Sequence, residues 1–202
     1  MKLKLTLPLC LALLLPACVP SVNPLYTEKD LVFDPALIGV WTQDHDKETW
    51  TFEKSGEKKY KLLQTDGEGR TAEFEIHLVK LNQRLFLDLY LIDPGMEKEW
   101  KMNQYAMFGL ILRPAHMFMK VTQIEPALQI SFLNPDWLKV FLAQNPRSIR
   151  HENVRAPSSQ GNDEQILLTA ETKDLQKFIL KHVNDENAFG KSSDMKRKNS
   201  GS

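Results

Sequence analysis

The sequence predicts a mainly β fold: an antiparallel, strongly curled sheet or up-and-down barrel of seven to nine strands, with two helices appended. Three observations predict it. Apolar and polar residues alternate with a period of two through most of residues 37–133. Turn-forming clusters such as Asp66-Gly67-Glu68-Gly69 and Asp93-Pro94-Gly95 punctuate those runs. Apolar residues at helical spacing are confined to two late segments. Closing such a sheet removes its exposed edges, which makes a barrel the economical arrangement.

The elements follow in order. Residues 1–17 read as a signal peptide: Lys2 and Lys4 form a positive start, and an apolar run from Leu5 to Leu15 follows. That run is too short to span roughly 30 Å of hydrocarbon, and Pro8 and Pro16 interrupt it. Residues 18–35 carry Pro20, Pro24 and Pro35 among turn formers and read as a tether. Leu25, Tyr26, Leu31 and Phe33 are too apolar for a pure spacer, so part of the tether is expected to dock on the domain. Residues 36–189 form a single barrel-like domain, and the polar stretch 190–202 reads as a disordered tail.

Within the domain the strands are placed at 37–43, 48–54, 58–65, 71–81, 84–92, 115–124 and 127–133, with weaker ones at 149–154 and 165–170. Trp50, Phe52, Tyr60, Phe74, Ile76, Leu87, Leu89, Phe118, Ile130 and Phe132 are assigned inward. Asn134-Pro135-Asp136 supplies an N-cap, a proline at the first position and an acid in the first turn, which starts a helix that Asn145-Pro146 ends. A second helix, capped by Thr172, is expected from Lys173 to His182.

Leu15-Pro16-Ala17-Cys18 resembles the lipobox of bacterial lipoproteins, with an apolar residue at −3, a small one at −1 and then the cysteine. The resemblance implies cleavage before Cys18, a diacylglycerol on its sulfur and a palmitate-type chain on the new N-terminus. Val19, in place of the aspartate that signals retention, implies sorting to the outer membrane, facing the periplasm. Three chains exceed the two signals that stable anchoring takes. Cleavage also removes Cys10, so no intramolecular disulfide is possible, and stability rests on the core. Losing Lys2 and Lys4 turns the balance of 26 basic and 26 acidic side chains into a slight acidic excess, which argues against a general nucleic-acid binder.

Gly39-Val40-Trp41 on the first strand resembles the Gly-x-Trp motif of lipocalins and other calycins, whose tryptophan plugs the closed end of the barrel. The resemblance covers roughly residues 37–155. It implies a late arginine, for which Arg147 and Arg150 are candidates; the family's Thr-Asp-Tyr motif is absent.

No catalytic or cofactor motif is found: there is no Gly-x-Ser-x-Gly, His-Glu-x-x-His, Walker loop or dinucleotide-binding glycine pattern. No enzyme, cofactor or metal is therefore expected. Asp44-His45-Asp46-Lys47-Glu48 is dense in possible ligands, yet these residues belong in a hairpin turn. Glu73, Glu75 and His77 share one strand face and read as a charged exterior. His116, beside Phe118, is either a polar group pointing into the barrel or a satisfied histidine of core or rim. The segment from Asp93 to Arg113, with its apolar run Ala106–Leu112, is read either as a flap or as a buried connection.

The expected function is that of an envelope lipoprotein anchored by Cys18 that binds or carries an apolar small molecule. Trp50, Phe52, Tyr60, Phe74, Phe118, Ile130, Phe132 and His116 are the candidate contacts, and Gly39 and Trp41 the structural motif. The alternative is a non-enzymatic interaction module that docks on another envelope protein, which would show an exposed apolar patch instead of a cavity.

Overall fold

A computed structural model describes residues 19–43, 47–93, 115–155 and 164–198. Residues 1–18, which include the segment read as a signal peptide and Cys18, and residues 44–46, 94–114, 156–163 and 199–202 lie outside the described residues. The expectations made for them are therefore not addressed by the fold.

The alternating segments fold as β2 (Gly39–Thr42), β3 (Thr49–Lys54), β4 (Tyr60–Thr65), β5 (Thr71–Leu81), β6 (Arg84–Asp93), β7 (His116–Gln123) and β8 (Ala127–Phe132). Each pairs antiparallel with the next. β11 (Ser193–Arg197) pairs with both β8 and β2 and closes an eight-stranded up-and-down barrel. This corrects the reading of residues 190–202 as a disordered tail. Ser-Asp-Met-Lys-Arg carries one apolar side chain, Met195, so it lacks a strand signature; it is ordered because two edge strands leave a slot that only a further strand satisfies. A short β1 (Leu31–Val32) adds to β5 outside the barrel, and β9 (His151–Arg155) and β10 (Glu164–Leu168) form a separate ribbon.

Two positions require a positive φ, one in a turn and one at the start of β2. Asn82 adopts φ 55° in the tight β5–β6 connection, a left-handed conformation that asparagine tolerates better than most residues. Gly39 has φ +133°, and a Cβ there would collide with the Arg197 guanidinium.

Alternation assigns the interior correctly along most strands. Trp41, Phe52, Leu62, Ile76, Leu78, Leu87, Met119 and Leu128 pack together in the barrel core, none more than 1% exposed. Eight strands enclose a space that side chains can fill, and here they do along the lower part of the barrel.

A second core lies outside the barrel. Helices α1 (Pro135–Gln144) and α2 (Thr172–His182) bury Leu138, Leu142, Leu175, Phe178 and Ile179 against Val79, Leu81, Phe86 and Phe118 on the outer sheet face. Asn134 caps α1 through its side-chain oxygen, which accepts from the Asp136 and Trp137 amides. α2 starts one residue earlier than expected, with Glu171 at its cap. The Thr172 hydroxyl donates instead to the Pro24 carbonyl at 2.8 Å.

That bond belongs to a strap. Residues 19–32 do not hang free: Val19, Leu25 and Leu31 are buried in the outer core. Ser21 exchanges backbone hydrogen bonds with His116, Val22 and Pro20 bond Leu168, and Gln176 donates to the Leu25 carbonyl. The expected docking of the tether is thus observed, beginning at the first described residue.

Candidate functional site

The lower end of the barrel is sealed. Trp41 is fully buried, and its indole N–H donates to the Leu37 carbonyl at 2.9 Å. The Arg197 guanidinium lies 4.5 Å above the Trp41 ring and donates to the Ile38 and Ala36 carbonyls at 2.6 Å each. The arginine on the motif tryptophan is therefore Arg197. Arg147 and Arg150 sit instead in the segment after α1, at an outer cleft. A guanidinium bound to two carbonyls and a ring face leaves no entry for a ligand at this end.

Tyr60, inward as expected, also lies low. It stacks on Phe33 at 4.8 Å, and its hydroxyl oxygen accepts from the Asp34 amide at 2.6 Å. Burial raises its pKa to about 12, so it is a neutral fixed group. Phe52, Phe74 and Ile130 fill the middle.

The upper end, where β6 finishes and β7 starts, differs in chemistry. Glu48, just before β3, turns its carboxylate inward, where it accepts from the Trp50 indole at 2.8 Å and from the Gln64 amide. Trp50 and Gln64 face each other across the β3–β4 ladder and are buried. Around them Leu91, Met117 and Phe132 pack on the barrel core while staying partly exposed. Convergent polar groups beside partly exposed apolar side chains are a combination that small-molecule sites use. Glu48 was read as turn chemistry; its inward face is set by its offset of two from Trp50 on the same strand path.

Phe118 corrects the inward assignment, and of the two readings of His116 the structure shows the satisfied histidine and not the contact inside the barrel. Both lie on the outer face of β7, since Met117, Met119 and Val121 take the inner positions. Phe118 belongs to the core under the helices. His116 meets Asp88: Nδ1 lies 2.6 Å from Oδ1, and Oδ2 accepts the Leu25 amide at 2.7 Å. The Asp88 side chain is wholly buried. The rings of Tyr26 and Tyr90 flank His116 at 6.4 and 5.1 Å. Tyr26 is pushed up to about 12, chiefly by burial and then by the charges of Asp88, Glu75 and Glu28. The sequence carried a signal for this cluster: Phe86 and Tyr90 flank Asp88 on the face opposite Leu85, Leu87 and Leu89, and apolar residues on both faces mark a strand covered on both sides. With both partners enclosed, the pair is a latch holding the strap, with no room for a substrate between them.

Glu73, Glu75 and His77 share the outer face of β5 as expected, but His77 is buried under Tyr26, with ring centroids 4.5 Å apart. Glu75 lies 3.8 Å from its Nε2, and Asp88, Lys59 and Glu28 also face it. Burial lowers the His77 pKa despite these carboxylates. The native state thus resists the proton that the unfolded state binds near pH 6.5. Stability is fully present above that value and falls as the pH drops below it. We expect a lower melting temperature at pH 5.5 than at pH 7.5, with the difference reduced in His77→Gln; an equal drop in both proteins would refute this role.

No protein-family model, no curated protein and no solved structure matches this chain.

Proposed function

We propose that this chain is a lipid-anchored protein of the bacterial envelope, held in the outer membrane through Cys18 and facing the periplasm. In this reading its calycin-like barrel takes a small apolar molecule at the upper end. One observation carries the ligand reading: Leu91, Met117 and Phe132 are left partly exposed beside the Glu48–Gln64–Trp50 group, while most other inward side chains of the barrel are buried. The fit of Gly39, Trp41 and Arg197 at the sealed end supports the calycin-like part. The lipobox residues Leu15–Cys18 support the anchor.

Two experiments test the two parts separately. Cys18→Ser should move the protein from the membrane to the soluble fraction, and mass spectrometry of the wild-type N-terminal peptide should show three acyl chains; unchanged membrane association refutes lipidation. For the ligand, native extraction should recover a bound apolar molecule, and the probe N-phenyl-1-naphthylamine should bind saturably. Met117→Trp, which fills the upper end, should weaken that binding at least tenfold, about 1.4 kcal/mol. A probe that ignores this substitution would sink the carrier reading.

The densely packed lower barrel favours the second reading, a non-enzymatic module that docks on another envelope protein. A stoichiometric partner cross-linked near Leu91 and Phe132, with no bound small molecule, would select it.

A further inference from the structure

Away from the barrel, a cleft of about 360 Å³ opens between α2 and the segment that follows α1. Arg147 and Arg150 line it from that segment, and Lys177 and Lys181 from α2. Asp174 is the one carboxylate in its wall, and Lys177 lies 3.4 Å from it. Among the described residues, no carboxylate lies within 4 Å of Arg147, Arg150 or Lys181. A chain with equal numbers of acidic and basic side chains thus gathers an excess of three positive charges around one hollow.

The arrangement is unfavourable without a counter-ion. Lys177 and Lys181 are four residues apart on one face of α2, a like-charge spacing that destabilises a helix. Beneath them, His182 is packed among Trp137, Phe141 and Phe178 at ring distances of 4.8 to 5.1 Å. Its Nε2 is buried and has no hydrogen-bond partner among the described residues. The buried Phe178 and Ile149 give the cleft an apolar floor.

We infer that this cleft binds the phosphate group of a small phosphate ester, with Arg147, Arg150 and Lys181 on the phosphate and the organic part against Phe178 and Ile149. Two guanidinium and two ammonium groups around one cleft, against the single carboxylate of Asp174, suit a multiply charged oxyanion, and arginine matches phosphate geometry with paired N–H donors. The apolar floor and the volume favour an ester over the bare ion. The inference is independent of the barrel ligand and of the lipid anchor.

The phosphate could belong to a soluble monoester or to a lipid headgroup, and the probes separate these sources. The purified full chain is titrated by calorimetry with glycerol 3-phosphate, with glycerophosphoglycerol as a soluble headgroup diester, and with inorganic phosphate. Saturable one-to-one binding of an ester, tighter than that of inorganic phosphate, is expected. Preference for the monoester assigns a soluble ligand, and preference for the diester a headgroup. The His182 ring resonances should shift on titration, a readout that needs no variant. Arg147→Gln combined with Lys181→Gln should weaken binding at least tenfold, whereas Lys58→Gln, at an exposed lysine in the β3–β4 turn, should leave it unchanged. Failure of all three probes to saturate, or equal losses in the two variants, would overturn the inference.

Discussion

A chain ending at Gly190 is expected to lose cooperative unfolding altogether. Removing residues 191–202 deletes β11, which pairs with β8 over four positions and with β2 over two. It exposes two strand edges and withdraws Met195 from the barrel core. Truncating a buried methionine alone costs about 2–5 kcal/mol, and a partly exposed guanidinium over a tryptophan contributes about 1 kcal/mol. Together these approach the whole stability of an ordinary domain, about 5–15 kcal/mol. The measurement is a thermal melt followed by circular dichroism. A chain ending at Lys198, which keeps the Lys198 amide bonded to the Val40 carbonyl at 2.8 Å, should melt as the full chain does. If the shorter chain retained a sharp transition, the closing role of β11 would be wrong.

Removing the Asp88 carboxylate is the second large effect. In Asp88→Ala the Leu25 amide loses its acceptor, and His116 loses the partner that fixes its ring. Breaking a buried charge-assisted pair costs about 3–5 kcal/mol. For a chain of this size that lowers the melting temperature by roughly 10 °C. The effect should be local before it is global. Hydrogen exchange should quicken at the Ser21, Val22 and Leu25 amides, whereas the amides of β3 and β4 keep their protection up to the global transition. A loss under about 1 kcal/mol, or exchange that changes evenly along the chain, would contradict the latch.

Asp88 also shows why part of the site was hidden in the sequence. Alternation along β6 assigns Leu85, Leu87, Leu89 and Leu91 inward, and the structure agrees. The same alternation places Phe86, Asp88 and Tyr90 on the opposite face, where Phe86 and Asp88 are buried because α1, α2 and the strap cover it. A period of two distinguishes two faces and carries no information on whether the second is covered. Phe118 was assigned to the wrong face for a related reason. Met117, Met119 and Val121 form the consistently apolar parity against His116, Lys120 and Thr122, and the bulk of Phe118 drew the assignment to the other parity, where it is buried only because the helices cover it.

At the ends of the barrel the chemistry was partly legible. Gly39 and Trp41 could be read from a three-residue motif, since a glycine beside a buried tryptophan is a local pattern. Their arginine could not, because Arg197 reaches Trp41 only once β11 has paired with β2. Glu48 likewise looked like one more acid in a polar turn until the β3–β4 register placed Gln64 opposite Trp50.

The sequence by itself determined the number and order of seven barrel strands, both helices and most of the inward set, all of which rest on residues close together in the chain. Tertiary structure alone decided which strand closes the barrel, that the strap is stitched to the outer face by Asp88 and His116, and that four cations share one cleft. Those features depend on contacts between distant segments, where the need to pair an open strand edge, satisfy a buried amide or cover an apolar face overrides local pattern.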